Sequence, residues 1–98
     1  MAETSRSEAG RAMRRKLMGD VYADRLDQTV YTDPIMKKFG DIAVESVFGG
    51  LWARPGLDLK TRALICVISD TATGRTPELA IHVRMARRLS RDVRLAAQ

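Results

Sequence analysis

The stretch Asp58-Leu59-Lys60-Thr61-Arg62-Ala63-Leu64-Ile65-Cys66-Val67-Ile68-Ser69-Asp70-Thr71-Ala72-Thr73-Gly74 decides the fold class. Its centre, residues 63–68, is apolar at six consecutive positions, a length that suits a buried strand as well as part of a helix. The flanks settle the choice. Asp58 is a good helix N-cap and Gly74 a good C-terminal stop. The span between them, about fifteen residues, is long for a strand and ordinary for a helix. The expectation is a helix buried on most sides.

The same punctuation recurs on either side. Thr76-Pro77-Glu78 pairs a capping hydroxyl with a proline suited to the first helical turn. The helix it opens carries Leu79, Val83, Ala86 and Leu89 on one face and Arg84, Arg87, Arg88 and Arg91 on the other. Upstream, Asp33-Pro34 starts a helix whose apolar face is Met36, Phe39, Ile42, Ala43, Ser46 and Val47. Gly49-Gly50 should end it, because each glycine costs about 1 kcal/mol against alanine inside a helix. Residues 51–57 then read as a loop with Arg54-Pro55-Gly56 as its turn. At the other end, Ser7-Glu8 opens a helix with Ala9, Met13 and Leu17 as its buried stripe and Arg11, Arg14, Arg15 and Lys16 largely away from it. Gly19-Asp20 marks a break, and residues 21–32 read as a short helix and loop. The sum is four or five helices and no strand: an all-α chain, expected to form a small antiparallel helical bundle as one domain over residues 1–98.

Composition agrees. Ninety-eight residues, 45% hydrophobic and 30% charged, suit one small globular domain, and with only five aromatics the core must come from aliphatic residues and methionine. A single cysteine, Cys66, rules out a disulfide framework or a multiple-cysteine zinc site and reads as core packing. No apolar run reaches the roughly 18 residues of a membrane span. The polar N-terminus lacks the apolar stretch of a secretory leader, so the expected location is the cytoplasm. The net charge of +5 gathers late in the chain, where Arg84, Arg87, Arg88, Arg91 and Arg94 face only Asp92. Such a face can be solvated or can meet phosphates.

Few residues are suited to chemistry. His82 is the lone histidine, and Glu78 precedes it by one helical turn, so the two can share a face. That spacing serves a tuned proton donor, a satisfied core histidine or a first-turn acid favoured by the helix dipole. Glu45 sits at the edge of an apolar stripe, a place usually solvated. Trp52 and Arg54 flank a turn where a ring and a planar cation could bind a carboxylate. Arg62 stands in the first turn of its helix, where the dipole disfavours a cation, so an anion should lie near it. No phosphate-binding glycine loop, metal-ligand motif or nucleophile elbow is present.

The run Glu45-Ser46-Val47-Phe48-Gly49-Gly50-Leu51-Trp52-Ala53-Arg54-Pro55-Gly56-Leu57-Asp58 with Lys60-Thr61-Arg62, and the later Gly74-Arg75-Thr76-Pro77-Glu78-Leu79-Ala80-Ile81-His82-Val83-Arg84, resemble the carboxymuconolactone decarboxylase family. The opening from Arg14 to Arg25 fits as well, so the likeness covers roughly residues 10–90. The resemblance implies an all-helical subunit, a homo-oligomer (trimer or hexamer), and removal of CO2 from 4-carboxymuconolactone, or a similar small carboxylated lactone, in aromatic acid breakdown. It implies no cofactor and a small carboxylated substrate as partner; with no metal-ligand motif and no apolar run of membrane length, neither a metal nor a membrane is expected. The alkylhydroperoxidase D-like sister branch uses a Cys-x-x-Cys pair. Here Arg75 and Glu78 stand at those positions and Ala63 at the upstream glutamate, which excludes the peroxidase cycle. On the family-like positions, His82 tuned by Glu78 or Glu45 is expected to deliver the proton. Arg54 or Arg62 is expected to hold carboxylate, with Trp52 excluding water. Family members usually continue with a further apolar helix, so the preceding helices are expected to expose apolar surface unless another subunit covers it. A non-catalytic oligomer keeping the scaffold is the second reading, and a nucleic-acid face on the arginines of the last helix the third.

Overall fold

The computed structural model describes the backbone of residues 5–97 and the side chains of residues 5–92. It contains helices and turns and, among the described residues, no strand: α1 Ser5–Met18, α2 Asp20–Thr29, α3 Pro34–Ala43 running directly into a π-helical segment Val44–Trp52, α4 Leu59–Thr73 and α5 Thr76–Ala97. The all-α expectation holds. The chain divides into two compact units, Met1–Arg54 and Pro55–Gln98.

In the first unit the dominant packing is between α1 and the π-segment. Two glycines set its closeness. A Cβ on Gly10 would run into the Val44 carbonyl oxygen and stand 2.9 Å from its carbon; one on Gly49 would run into the Arg6 carbonyl oxygen and stand 2.8 Å from Arg6 Cγ. Backbone therefore meets backbone. This corrects two expectations. Gly49-Gly50 does not stop the helix, which continues in wider π turns to Trp52, because contact with α1 outweighs the low helix propensity of glycine. The buried side of α1 is Gly10, Arg14 and Leu17: Leu17 is buried as expected, while Gly10 and Arg14 take the places expected for Ala9 and Met13. The close approach selects Gly10, and Arg14 is buried because it has partners: Asp27 on α2 at 3.0 Å and the Tyr31 ring, 5.6 Å from the guanidinium carbon to the centroid. Gly19, at φ 87°, makes the break between α1 and α2, and Arg15 bridges it to Asp20 and Asp24 at 3.0 and 2.7 Å. Residues 20–29 form a ten-residue helix and residues 30–33 a loop, the short helix and loop expected there. Phe48 and Trp52 are buried, whereas the expected apolar face of α3 is largely exposed at Phe39 and Ile42, as is Ile35 beside it.

In the second unit α4 packs against α5. Both ends of α4 follow the sequence: Asp58 accepts a hydrogen bond from Thr61 N at 2.7 Å, and Gly74 closes the helix at φ 70°. The C-terminal turn is a Schellman closure, with the Gly74 N–H donating to Thr71 O and the Arg75 N–H to Asp70 O. The expectation that α4 is buried on most sides is corrected. Only Ala63 and Asp70 are buried, and Leu64, Ile65 and Ile68 are each more than half exposed. α5 packs on one face of α4. Among the described side chains of α5, Met85 and Leu89 are buried; of the expected stripe, Leu79 and Ala86 are half-buried and Val83 is exposed.

Candidate functional site

A polar contact between α4 and α5 joins His82 to Asp70. The Nδ1 of His82 lies in a short hydrogen bond with Asp70 Oδ2. The Asp70 side chain is 8% exposed and that of His82 is 23% exposed. The carboxylate is thus almost withdrawn from water, while the ring keeps an open edge. With Nδ1 occupied, Nε2 is the nitrogen left for another partner.

Asp70 is not among the residues the sequence singles out, and two local rules make its position unusual. It is an acid in the last turn of a helix, where the dipole disfavours negative charge, and it is buried. α4 has no basic residue in its last turn to offset it. A buried carboxylate at the unfavourable end of a helix is the signal that could have found it. Residues that break local rules in this way are commonly functional. Cys66, one turn earlier on the same helix, has its thiol pushed up by burial and then by the Asp70 carboxylate. It is held as neutral thiol, which suits packing and not nucleophilic attack.

The remaining expected site residues are spread over both units. In the second unit Glu78 is exposed in the first turn of α5, so the carboxylate that meets His82 is Asp70 and not the acid one turn before it. Arg62 is half-buried in the first turn of α4. The anion expected near it is Asp58, whose own acidity reflects that neighbour. Asp58 is held below the usual carboxylate range chiefly by the Thr61 backbone N–H and hydroxyl, with smaller contributions from Lys60 and Arg62. In the first unit Glu45 is half-buried at the start of the π-segment, Trp52 is buried at its end, and Arg54 is exposed in the turn that follows. The π-segment, unforeseen from the sequence, is what carries Glu45 and Trp52.

Residues 39–92, from the middle of α3 through most of α5, match the family model described as "Carboxymuconolactone decarboxylase family". That is more than half of the chain. The chain belongs to the carboxymuconolactone decarboxylase family. The matched segment of this family member contains Asp70 and all six residues that the sequence singles out for chemistry, His82 among them. The chain is also similar to the 4-carboxymuconolactone decarboxylase of Acinetobacter baylyi, with 27% identity over 84 residues, which are 86% of this chain and 61% of that protein. The chain therefore spans under two thirds of the length of that relative. No solved structure matches this family member.

Proposed function

We propose that this chain supports decarboxylation of a small carboxylated lactone, 4-carboxymuconolactone or a close analogue, with His82 delivering a proton to carbon. The observation that carries the reading is the hydrogen bond from a half-buried, lone histidine to a buried carboxylate, inside the segment that matches the family. The name of the Acinetobacter relative supports the substrate class.

The reaction asks little of the protein. The carbon–carbon bond to the departing carboxylate breaks, and its electron pair moves through the adjacent double bond to the lactone carbonyl oxygen, giving a dienolate. A proton must then reach carbon as the carbonyl re-forms, and the donor recovers its proton from solvent. The electron sink is in the substrate, so side chains alone meet the remaining needs: a cation for the substrate carboxylates, a donor for the carbonyl oxygen, and an acid over the carbon. The imidazolium of His82 fills the last role. Within the same unit as His82, Arg62 is the cation proposed for the substrate carboxylates and Glu78 an acid that adds to the charge balance.

The exposed apolar rows support homo-oligomerisation as part of the same proposal. Ile35, Phe39 and Ile42 in one unit and Leu64, Ile65 and Ile68 in the other are each at least half exposed, and a second copy of the chain would remove them from water.

The test is the loss of ultraviolet absorbance of purified 4-carboxymuconolactone on adding protein. Turnover should fall on the order of 10²- to 10⁴-fold in His82→Gln, with the far-ultraviolet dichroism unchanged. A His82→Gln protein with near-normal turnover removes the proton-donor role. A folded wild-type protein that leaves the lactone untouched would transfer the weight to a scaffold without this activity.

A further inference from the structure

A proton donor with two ring nitrogens must present the right one, and the second unit contains the device that chooses. We propose that Asp70 is the positioning residue of His82: by accepting a hydrogen bond from Nδ1–H, it holds the ring in one orientation and makes Nε2 the nitrogen that gives up the proton. The inference rests on the decarboxylation reading for its catalytic consequence, though not for its geometry.

Three observations support it. The contact itself occupies Nδ1. Asp70 is in turn held by its own backbone, because its carbonyl oxygen accepts the Arg75 N–H at 2.9 Å in the closure around left-handed Gly74. That closure reverses the chain from α4 into α5, so the turn that aims His82 at Asp70 also fixes the Asp70 main chain. Finally, the carboxylate is 8% exposed and the ring 23%, so water competes poorly for Nδ1 while the ring remains reachable. Along the two helices, Cys66, one turn before Asp70 on α4, is a neutral thiol, and Glu78 and Arg75 at the start of α5 are exposed. None of them occupies the ring in place of Asp70.

The chemical consequence follows from proton balance. When imidazolium gives its Nε2 proton to carbon, the neutral ring that remains is the Nδ1–H tautomer. That is the tautomer an acceptor at Nδ1 stabilises, so the ring need not turn over or exchange a hydrogen before solvent reloads Nε2. Without the acceptor, the ring would divide its hydrogen between the two nitrogens and lose its fixed aim.

Because the chain has a single histidine, its ring can be read without assignment ambiguity. The experiment is a two-bond proton–nitrogen correlation spectrum of full-length protein labelled with 15N-histidine, recorded where the ring is neutral. The wild type should show a protonated-type Nδ1 and a bare Nε2. Asp70→Leu, which keeps the volume and removes the acceptor, should shift both nitrogens toward averaged values, and Asp70→Glu should restore part of the wild-type pattern. In the lactone assay Asp70→Leu should lower kcat at least about 10-fold with a smaller change in KM, as expected for a group that orients an acid without touching substrate. A wild-type ring carrying its hydrogen on Nε2 overturns the proposal without any variant, as does a folded Asp70→Leu with an unchanged nitrogen spectrum. The expected spectra together with no turnover by the wild type would leave Asp70 as the positioning residue and remove the lactone reading.

Discussion

Gly10→Ala sets helix propensity directly against packing. Alanine at this position should favour α1 by about 1 kcal/mol through intrinsic propensity. Yet the added methyl would run into the Val44 carbonyl oxygen and lie 2.9 Å from the carbonyl carbon and 3.0 Å from Gly49 N, all of them main-chain atoms of the π-segment. Backbone held in a helix cannot swing aside as a side chain can. α1 would have to withdraw by about half an ångström before the carbon contact alone became ordinary, and the oxygen contact demands more. Overpacking of this kind costs about 1–3 kcal/mol, and a clash with main chain belongs at the upper end. The net loss is therefore about 2 kcal/mol, or a fall of roughly 10 °C in Tm for a chain of this size. Gly50→Ala is the matched control. Its Cβ would meet only the Glu45 carbonyl oxygen at 3.5 Å and Arg6 Cδ at 3.9 Å, so propensity should win there and Tm should stay level or rise. Thermal melts followed by dichroism at 222 nm decide it. A Gly10→Ala protein melting at or above the wild type would refute the claim that backbone contact holds α1 on the π-segment.

Other expectations are cheaper to check. Asp33 accepts from both Ile35 N and Met36 N at 3.0 Å, so Asp33→Ala should cost about 1 kcal/mol in denaturant titrations. Asp58 is held below the ordinary carboxylate range in the folded chain by Thr61, so its contribution is complete above the unfolded pKa and is lost as pH falls through the folded value. The Tm gap between wild type and Asp58→Ala should thus be full at neutral pH and close as pH drops below about 4, and a gap that widens in acid would contradict the assignment. Burial and the Asp70 charge raise the Cys66 thiol, so iodoacetamide at pH 8 should label the native protein several-fold more slowly than the urea-unfolded chain.

The sequence by itself determined where most helices start and stop. Asp33-Pro34, Asp58, Gly19 and Gly74 act as expected because a cap or a left-handed turn is made with backbone groups within a few residues, so its energy is written in adjacent letters. Tertiary structure decided what those helices do with their faces. Gly49-Gly50 reads as a stop until α1 comes close enough to reward the absence of side chains, and Arg14 reads as solvated until Asp27 and Tyr31 receive it. His82 was legible as a candidate from its uniqueness and its place in the family-like motif. Its partner was not, since Glu78 lies one turn away along the chain while Asp70 reaches the ring from another helix, twelve residues back. Periodicity reports which residues share a face; only the crossing of two helices determines which side chain stands opposite.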